Sequence, residues 1–179
     1  MPNEENSFGL VNQNGCDYEK YLIDEVYKNT HKWLNLSTKK EKNYIAGLSM
    51  GGYMSMYLSL KYPDLFSYCG AFSPVVDLTG VEAVIEHVKH TPFAKVLNGV
   101  FGGIDLKTSD VNLINWAKNK KDFPRLYLYC GNQDSLYEGC KHLALLLKEN
   151  NQDITFVEDD GNHTWDRWEK QLQEFLERR

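Results

Sequence analysis

Short apolar runs alternate with longer amphipathic stretches along this chain, and the two periods separate strands from helices. Four runs, at 43–47, 67–72, 125–130 and 154–158, have the length and β-branched or aromatic content of strands. Between them apolar residues recur three or four positions apart. Tyr18, Leu22, Val26 and Trp33 form one such stripe, Met50, Met54 and Leu58 a second, and Leu136, Cys140, Leu143 and Leu147 a third. Trp165, Trp168, Leu172, Phe175 and Leu176 give a last amphipathic helix whose stripe is read as core packing. Strands alternating with helices predict an α/β fold in which right-handed crossovers build a mostly parallel sheet flanked by helices. The rhythm breaks between Asp77 and Asp122, where Gly80, Thr91-Pro92, Gly99, Gly102 and Gly103 punctuate an excursion between two strands. That excursion is either a pocket-shaping insertion or a plain helical connection.

Composition narrows the picture. At 179 residues, 42% hydrophobic and 25% charged, the chain fits one domain with its own core, spanning 1–179. The net charge of −5 comes from acids and bases mixed along the length, with no basic stripe to meet a phosphate backbone, so nucleic acid is not an expected partner. The cluster from Lys118 to Lys121 is read as a solvated helix or loop face. No window reaches the roughly 18 apolar residues of a membrane span, and the first residues are polar, so the expectation is a soluble, unexported, cytoplasmic protein. Cys16, Cys69, Cys130 and Cys140 lack zinc-like or Cys-x-x-Cys spacing and read as separate reduced thiols.

The candidate chemistry begins at Gly47-Leu48-Ser49-Met50-Gly51, between a strand run and a helical run. Gly-x-Ser-x-Gly there is the sequence form of a nucleophile elbow, a turn so tight that side chains at 47 and 51 are expected to collide. The pattern alone arises in about one chain of this length in twenty, so the setting is what makes it informative. A serine hydroxyl needs a base, and that base needs an orienting acid. Asp134 follows the third strand run and His163 follows the fourth, and parallel strands end on one edge of the sheet. Each has a plainer reading: Asp134 as a helix N-cap and His163 as an ordinary loop histidine, with Asp159 and Asp160 competing for the role of acid. Together, in the order Ser, Asp, His of the α/β-hydrolase arrangement, the three predict acyl transfer. His163 would take the Ser49 proton, Asp134 would stabilise the imidazolium, and the Met50 backbone N–H would face the developing oxyanion. No metal and no organic cofactor is expected. The other histidines, His31, His87, His90 and His142, fall in helical patterns and are read as structural or exposed.

The segments Gly47 to Tyr53, Cys130 to Tyr137 and Gly161 to Trp168 together resemble the esterase D family, which includes S-formylglutathione hydrolases and bacterial tributyrin-type esterases. The resemblance runs from about Met1 to the C-terminus. It implies the α/β-hydrolase fold and gives Ser49, Asp134, His163 and the Met50 N–H the roles of nucleophile, acid, base and oxyanion donor. It also implies that the N-terminal strands of the family, with the loop carrying a second oxyanion donor, are missing. Met1-Pro2-Asn3 resembles the end of one of those strands. The strand bearing Ser49 is then expected to expose an open edge through which the chain could self-associate.

The leading expectation is a serine carboxylic ester hydrolase acting on short-chain acyl esters or thioesters. Two alternatives stand beside it: an acyltransferase on the same triad, and an inactive fragment or binding module that lacks the second oxyanion donor. The substrate pocket is expected between the 77–122 excursion and the Ser7-Phe8-Gly9 loop.

Overall fold

Period-two alternation within the strands divides the sheet into two chemically different faces. The computed structural model describes residues 6–13, 15–119 and 123–178. Its strands, β1 (Tyr44–Leu48), β2 (Tyr68–Phe72), β3 (Arg125–Tyr129) and β4 (Ile154–Val157), form one parallel sheet in the order β1-β2-β3-β4. Each lies within a residue of the run that predicts it. Tyr44 stands opposite Tyr68 and Tyr68 opposite Arg125, while Leu126 stands opposite Ile154, so the carboxyl ends of all four strands share one edge. Cys69, Ala71, Leu126 and Leu128 point into the larger, mostly aliphatic core; Tyr68, Phe72, Tyr127 and Tyr129 point the other way, into a smaller aromatic layer.

Helices cover both faces, as parallel sheets require. The chain enters through consecutive helical segments, α1 (Tyr18–Lys20), a π-helical stretch Tyr21–Tyr27 and α2 (Lys28–Trp33). α3 (Met50–Lys61) packs on β1 and β2, and α7 (Tyr137–Glu149) on β3 and β4. α8 (Trp165–Glu177) lies on the aromatic face, with Phe175 directly over Gly70, where a Cβ would come within 3.0 Å of its ring. The excursion between β2 and β3 carries α4 (Val81–His87), α5 (Pro92–Phe101) and α6 (Leu113–Asn119), and Thr91-Pro92 starts α5 as the sequence predicts. Its end at Asp122, Lys120 and Lys121 of the lysine cluster, and Met1-Pro2-Asn3 fall outside the described residues.

Two expectations about apolar stripes are corrected. Trp33 is 76% exposed at the end of α2. Of the apolar stripe on α8 only Trp168 and Phe175 are buried, while Trp165, Leu172 and Leu176 stay exposed. Trp165 and Leu172 instead help line an apolar groove of about 440 Å³ between α8 and β1, floored by Ala46, Leu48 and Phe72. β1 is an edge strand among the described residues, so the groove opens beside unpaired backbone.

Candidate functional site

All three predicted side chains sit in loops at the carboxyl ends of strands, and the fold brings them into hydrogen-bonding contact. Ser49 follows β1 directly and occupies φ 53°, ψ −119°, backbone that an L-residue enters only under constraint. The constraint is visible on both sides. The Ser49 N–H donates to the Phe72 carbonyl at 2.8 Å, and its own carbonyl receives the Tyr53 N–H, which starts α3. Gly47 is obligatory, since a Cβ there would lie 2.2 Å from the Gly51 oxygen. The expectation for Gly51 is corrected: a Cβ at Gly51 would meet nothing within 4 Å. The second tight position is Gly52, whose Cβ would press on the Gly47 carbonyl and Pro74, both at 3.1 Å. Met50 opens α3, so its N–H has no preceding turn to donate to and points out of the helix end beside Ser49.

Asp134 is buried, and its two carboxylate oxygens do different work. Oδ1 accepts the Leu136 N–H at 2.9 Å, a local turn that leads into α7, while Oδ2 lies 2.7 Å from His163 Nδ1. The helix-capping reading is corrected: the N-cap of α7 is Leu136, and Asp134 accepts from it as a turn residue two positions earlier. His163 presents its other nitrogen, Nε2, to Ser49 Oγ at 3.0 Å. An ionised carboxylate only accepts, so Nδ1 carries the ring proton of the neutral imidazole and Nε2 keeps a lone pair toward the serine hydroxyl.

The loops bearing Asp134 and His163 are locked together by backbone. A Cβ on Gly131 would lie 2.2 Å from the Gly161 oxygen, and the Asn132 and Gln133 N–H groups donate to the carbonyls of Asp159 and Gly161. The rival acids are occupied elsewhere. Asp159 accepts from the Tyr129 hydroxyl and the Gly161 N–H, both at 2.8 Å, and pairs with Arg167. Asp160 pairs with the same Arg167 from an exposed position. Tyr129, its hydroxyl facing that carboxylate, is pushed above the usual phenol range by burial and by the Asp159 hydrogen bond. Among the other histidines, His31 is held structurally between the Tyr27 carbonyl and Asn43 Oδ1. No group of three His, Cys, Asp or Glu side chains is arranged to hold a metal among the described residues.

The excursion and the N-terminal loop meet, but the pocket between them is lined by none of Ser49, Asp134 and His163. Ser7 lines a pocket of about 250 Å³ with Lys95, Gly99 and Val100 of α5. Phe8 and Gly9 instead turn inward: Phe8, at φ 57°, packs edge-on against Tyr53 and Phe101, and a Cβ on Gly9 would strike Met54.

The Esterase family model matches residues 10–178. The chain belongs to the Esterase family. An acetyl esterase from Caldicellulosiruptor saccharolyticus is 29% identical over 96% of this chain and 67% of its own length. FphF, a fluorophosphonate-binding serine hydrolase of Staphylococcus aureus, superposes with a TM-score of 0.82 at 26% identity, over 97% of this chain and 68% of that one. The diacylglycerol acyltransferase/mycolyltransferase Ag85B of Mycobacterium leprae is 26% identical over 88% of this chain but only 55% of its own length. The chain thus spans about two thirds of the first two and little more than half of the third. This esterase has the α/β-hydrolase fold, with its parallel sheet between two helical layers. No helix among the described residues is long and apolar enough to cross a membrane.

Proposed function

We propose that this esterase hydrolyses short-chain acyl esters or thioesters through Ser49, His163 and Asp134. The observation that carries the reading is the unbroken relay from the buried Asp134 carboxylate through His163 to the Ser49 hydroxyl, at 2.7 and 3.0 Å, ending on a nucleophile in constrained backbone. In the first half-reaction His163 Nε2 takes the Ser49 proton as Oγ attacks the acyl carbon. The carbonyl oxygen becomes an oxyanion beside the Met50 N–H, and the imidazolium charge rests against Asp134. His163 then gives its proton to the departing alcohol or thiol. Water repeats the sequence on the acyl-enzyme, releasing the acid and restoring Ser49. A short acyl group agrees with the acetyl esterase relative. Transfer to an alcohol, the chemistry named for the mycolyltransferase relative, would use the same acyl-enzyme and is read by adding an acceptor to the assay.

Hydrolysis of p-nitrophenyl acetate by the chain and by Ser49→Ala tests the reading. Turnover that falls at least about 10³-fold in a folded Ser49→Ala protein is the expected result. Equal rates in the two proteins would sink it. The same proposal places the protein in the cytoplasm, where buried, unpaired Cys69, Cys130 and Cys140 suit a reducing environment. It also takes the outer edge of β1 as the face for self-association, to be read by sedimentation.

A further inference from the structure

His163 is held at both ring nitrogens by the triad, and a third contact on its ring belongs to neither partner. The ring of Trp168 meets it at 4.7 Å between centroids and 89° between planes. Trp168 is buried, and its indole N–H donates to Ser73 Oγ at 3.1 Å. Ser73 is the residue immediately after β2. It is fully buried, sits at φ 48°, and donates its own N–H to the Tyr129 carbonyl at 2.7 Å. Phe72, its neighbour, is the residue whose carbonyl receives the Ser49 N–H. A non-glycine residue in left-handed backbone at the core of the sheet edge needs something to hold it there, and a buried indole N–H needs an acceptor. Each answers the other's requirement.

We infer that Ser73 and Trp168 are a positioning pair for His163. The tip of β2 carries two successive residues with separate tasks: Phe72 fixes the nucleophile's backbone, and Ser73 fixes the indole against which the base is oriented. Rotation of the imidazole out of line with Ser49 Oγ would have to displace Trp168, whose indole is tethered to Ser73 and whose helix start is tied by its N–H to the Thr164 carbonyl. The pair thus sets the angle at which Nε2 faces Oγ, while Asp134 sets which nitrogen carries the proton. Neither residue touches the reacting atoms. The inference rests on the triad reading above.

The test compares the full chain with Trp168→Leu, Trp168→Phe and Ser73→Ala, each first checked for a native melt. Two readouts report on the base rather than on stability: the rate and pH profile of Ser49 labelling by a fluorophosphonate, and the downfield NMR signal of the His163 Nδ1–H. Trp168→Leu is expected to slow labelling about tenfold or more and to broaden the Nδ1–H signal, as loosened orientation would. Ser73→Ala should act in the same direction more weakly. Trp168→Phe, which keeps an aromatic ring but loses the N–H, should recover most of the loss. If Trp168→Leu does not fold, Ser73→Ala and Trp168→Phe carry the comparison. Parental labelling, pH profile and NMR signal in the folded variants would overturn the inference alone. A parent chain that never labels at Ser49 would overturn the triad reading, and this inference with it.

Discussion

Two acids, Glu19 and Asp134, are buried among the described residues with both oxygens engaged, and their partners differ in kind. Glu19 collects the Lys61 ammonium at 2.6 Å, the Tyr57 hydroxyl at 2.9 Å and the Tyr62 hydroxyl, tying the first helix to α3 and the turn after it. Asp134 collects one backbone N–H and one imidazole. The difference lies in what stands behind the partner. Lysine keeps its charge throughout the working pH range, so the Glu19 cluster is closed and every group in it is satisfied. Histidine can take a second proton, and behind it stands a serine hydroxyl with one to give. A closed network stabilises; a network with a proton to move can do chemistry.

The largest effect expected from breaking this comparison falls on Asp134. Asp134→Asn keeps the shape and an oxygen for the Leu136 N–H, but presents the wrong partner to Nδ1 and favours the wrong tautomer. Turnover should drop about 10⁴-fold while the melting temperature stays near the parent's. Loss of stability with activity preserved would instead make Asp134 a structural turn residue and nothing more.

Glu19 should show the reverse pattern. In Glu19→Gln, Lys61 loses its counter-charge, and the hydroxyls of buried Tyr57 and half-buried Tyr62 compete for one oxygen, which should cost about 1–3 kcal/mol. For a chain of this size that lowers the melting temperature by about 2–10 °C. Hydrolysis per folded molecule should be unchanged. A large loss of turnover at full stability would mean that the cluster couples to the site.

The sequence makes legible what is decided over a few residues. The strands were readable because each is a short apolar run, and the grouping of Ser49, Asp134 and His163 because the elbow and two strand-end loops mark them in order. The Glu19 cluster was not, because its partners lie 38 to 43 residues away in sequence and converge only when the first helix meets α3. The Ser73 to Trp168 bond spans 95 residues and depends on where α8 settles on the sheet. Nor does helical spacing tell Trp168 and Phe175, which find Ser73 and Gly70, from Trp165, Leu172 and Leu176, which stay exposed. That distinction is made by what lies opposite.

Acid sharpens the contrast through linkage. Burial alone would raise the Glu19 pKa, but hydrogen bonds from Lys61, Tyr62 and Tyr57 outweigh it and hold the carboxyl below its ordinary 4.5. A carboxyl depressed in the fold contributes stability that is complete above 4.5 and is lost as pH falls through its folded value. Asp77 behaves alike: burial opposes, and bonds from Thr79 and Asn112 win. On the alkaline side Tyr62 is raised to about 12 by burial and by Glu19, so its contribution is complete below 10 and fades between 10 and about 12. Melting temperature against pH should therefore be flat between about 5 and 9 and fall on both flanks. Glu19→Gln should be less sensitive to acid than the parent. Identical acid limbs in the two proteins would remove Glu19 from the account.

The smallest effect is expected where the catalytic network is open and the Glu19 cluster has no counterpart. Gly47 and Gly51 flank Ser49 symmetrically in sequence but not in space. Gly47→Ala drives a methyl into the Gly51 carbonyl and should prevent the elbow from forming. Gly51→Ala adds a methyl to the first turn of α3 where nothing lies within 4 Å, and alanine favours helix over glycine by at most about 1 kcal/mol. Its melting temperature should equal or slightly exceed the parent's. Hydrolysis per folded molecule should stay near the parent's, because the added methyl meets no neighbour. Unfolding of Gly51→Ala to the extent seen for Gly47→Ala would show that the space is closed in solution, and that the nucleophile is as tightly enclosed as Glu19.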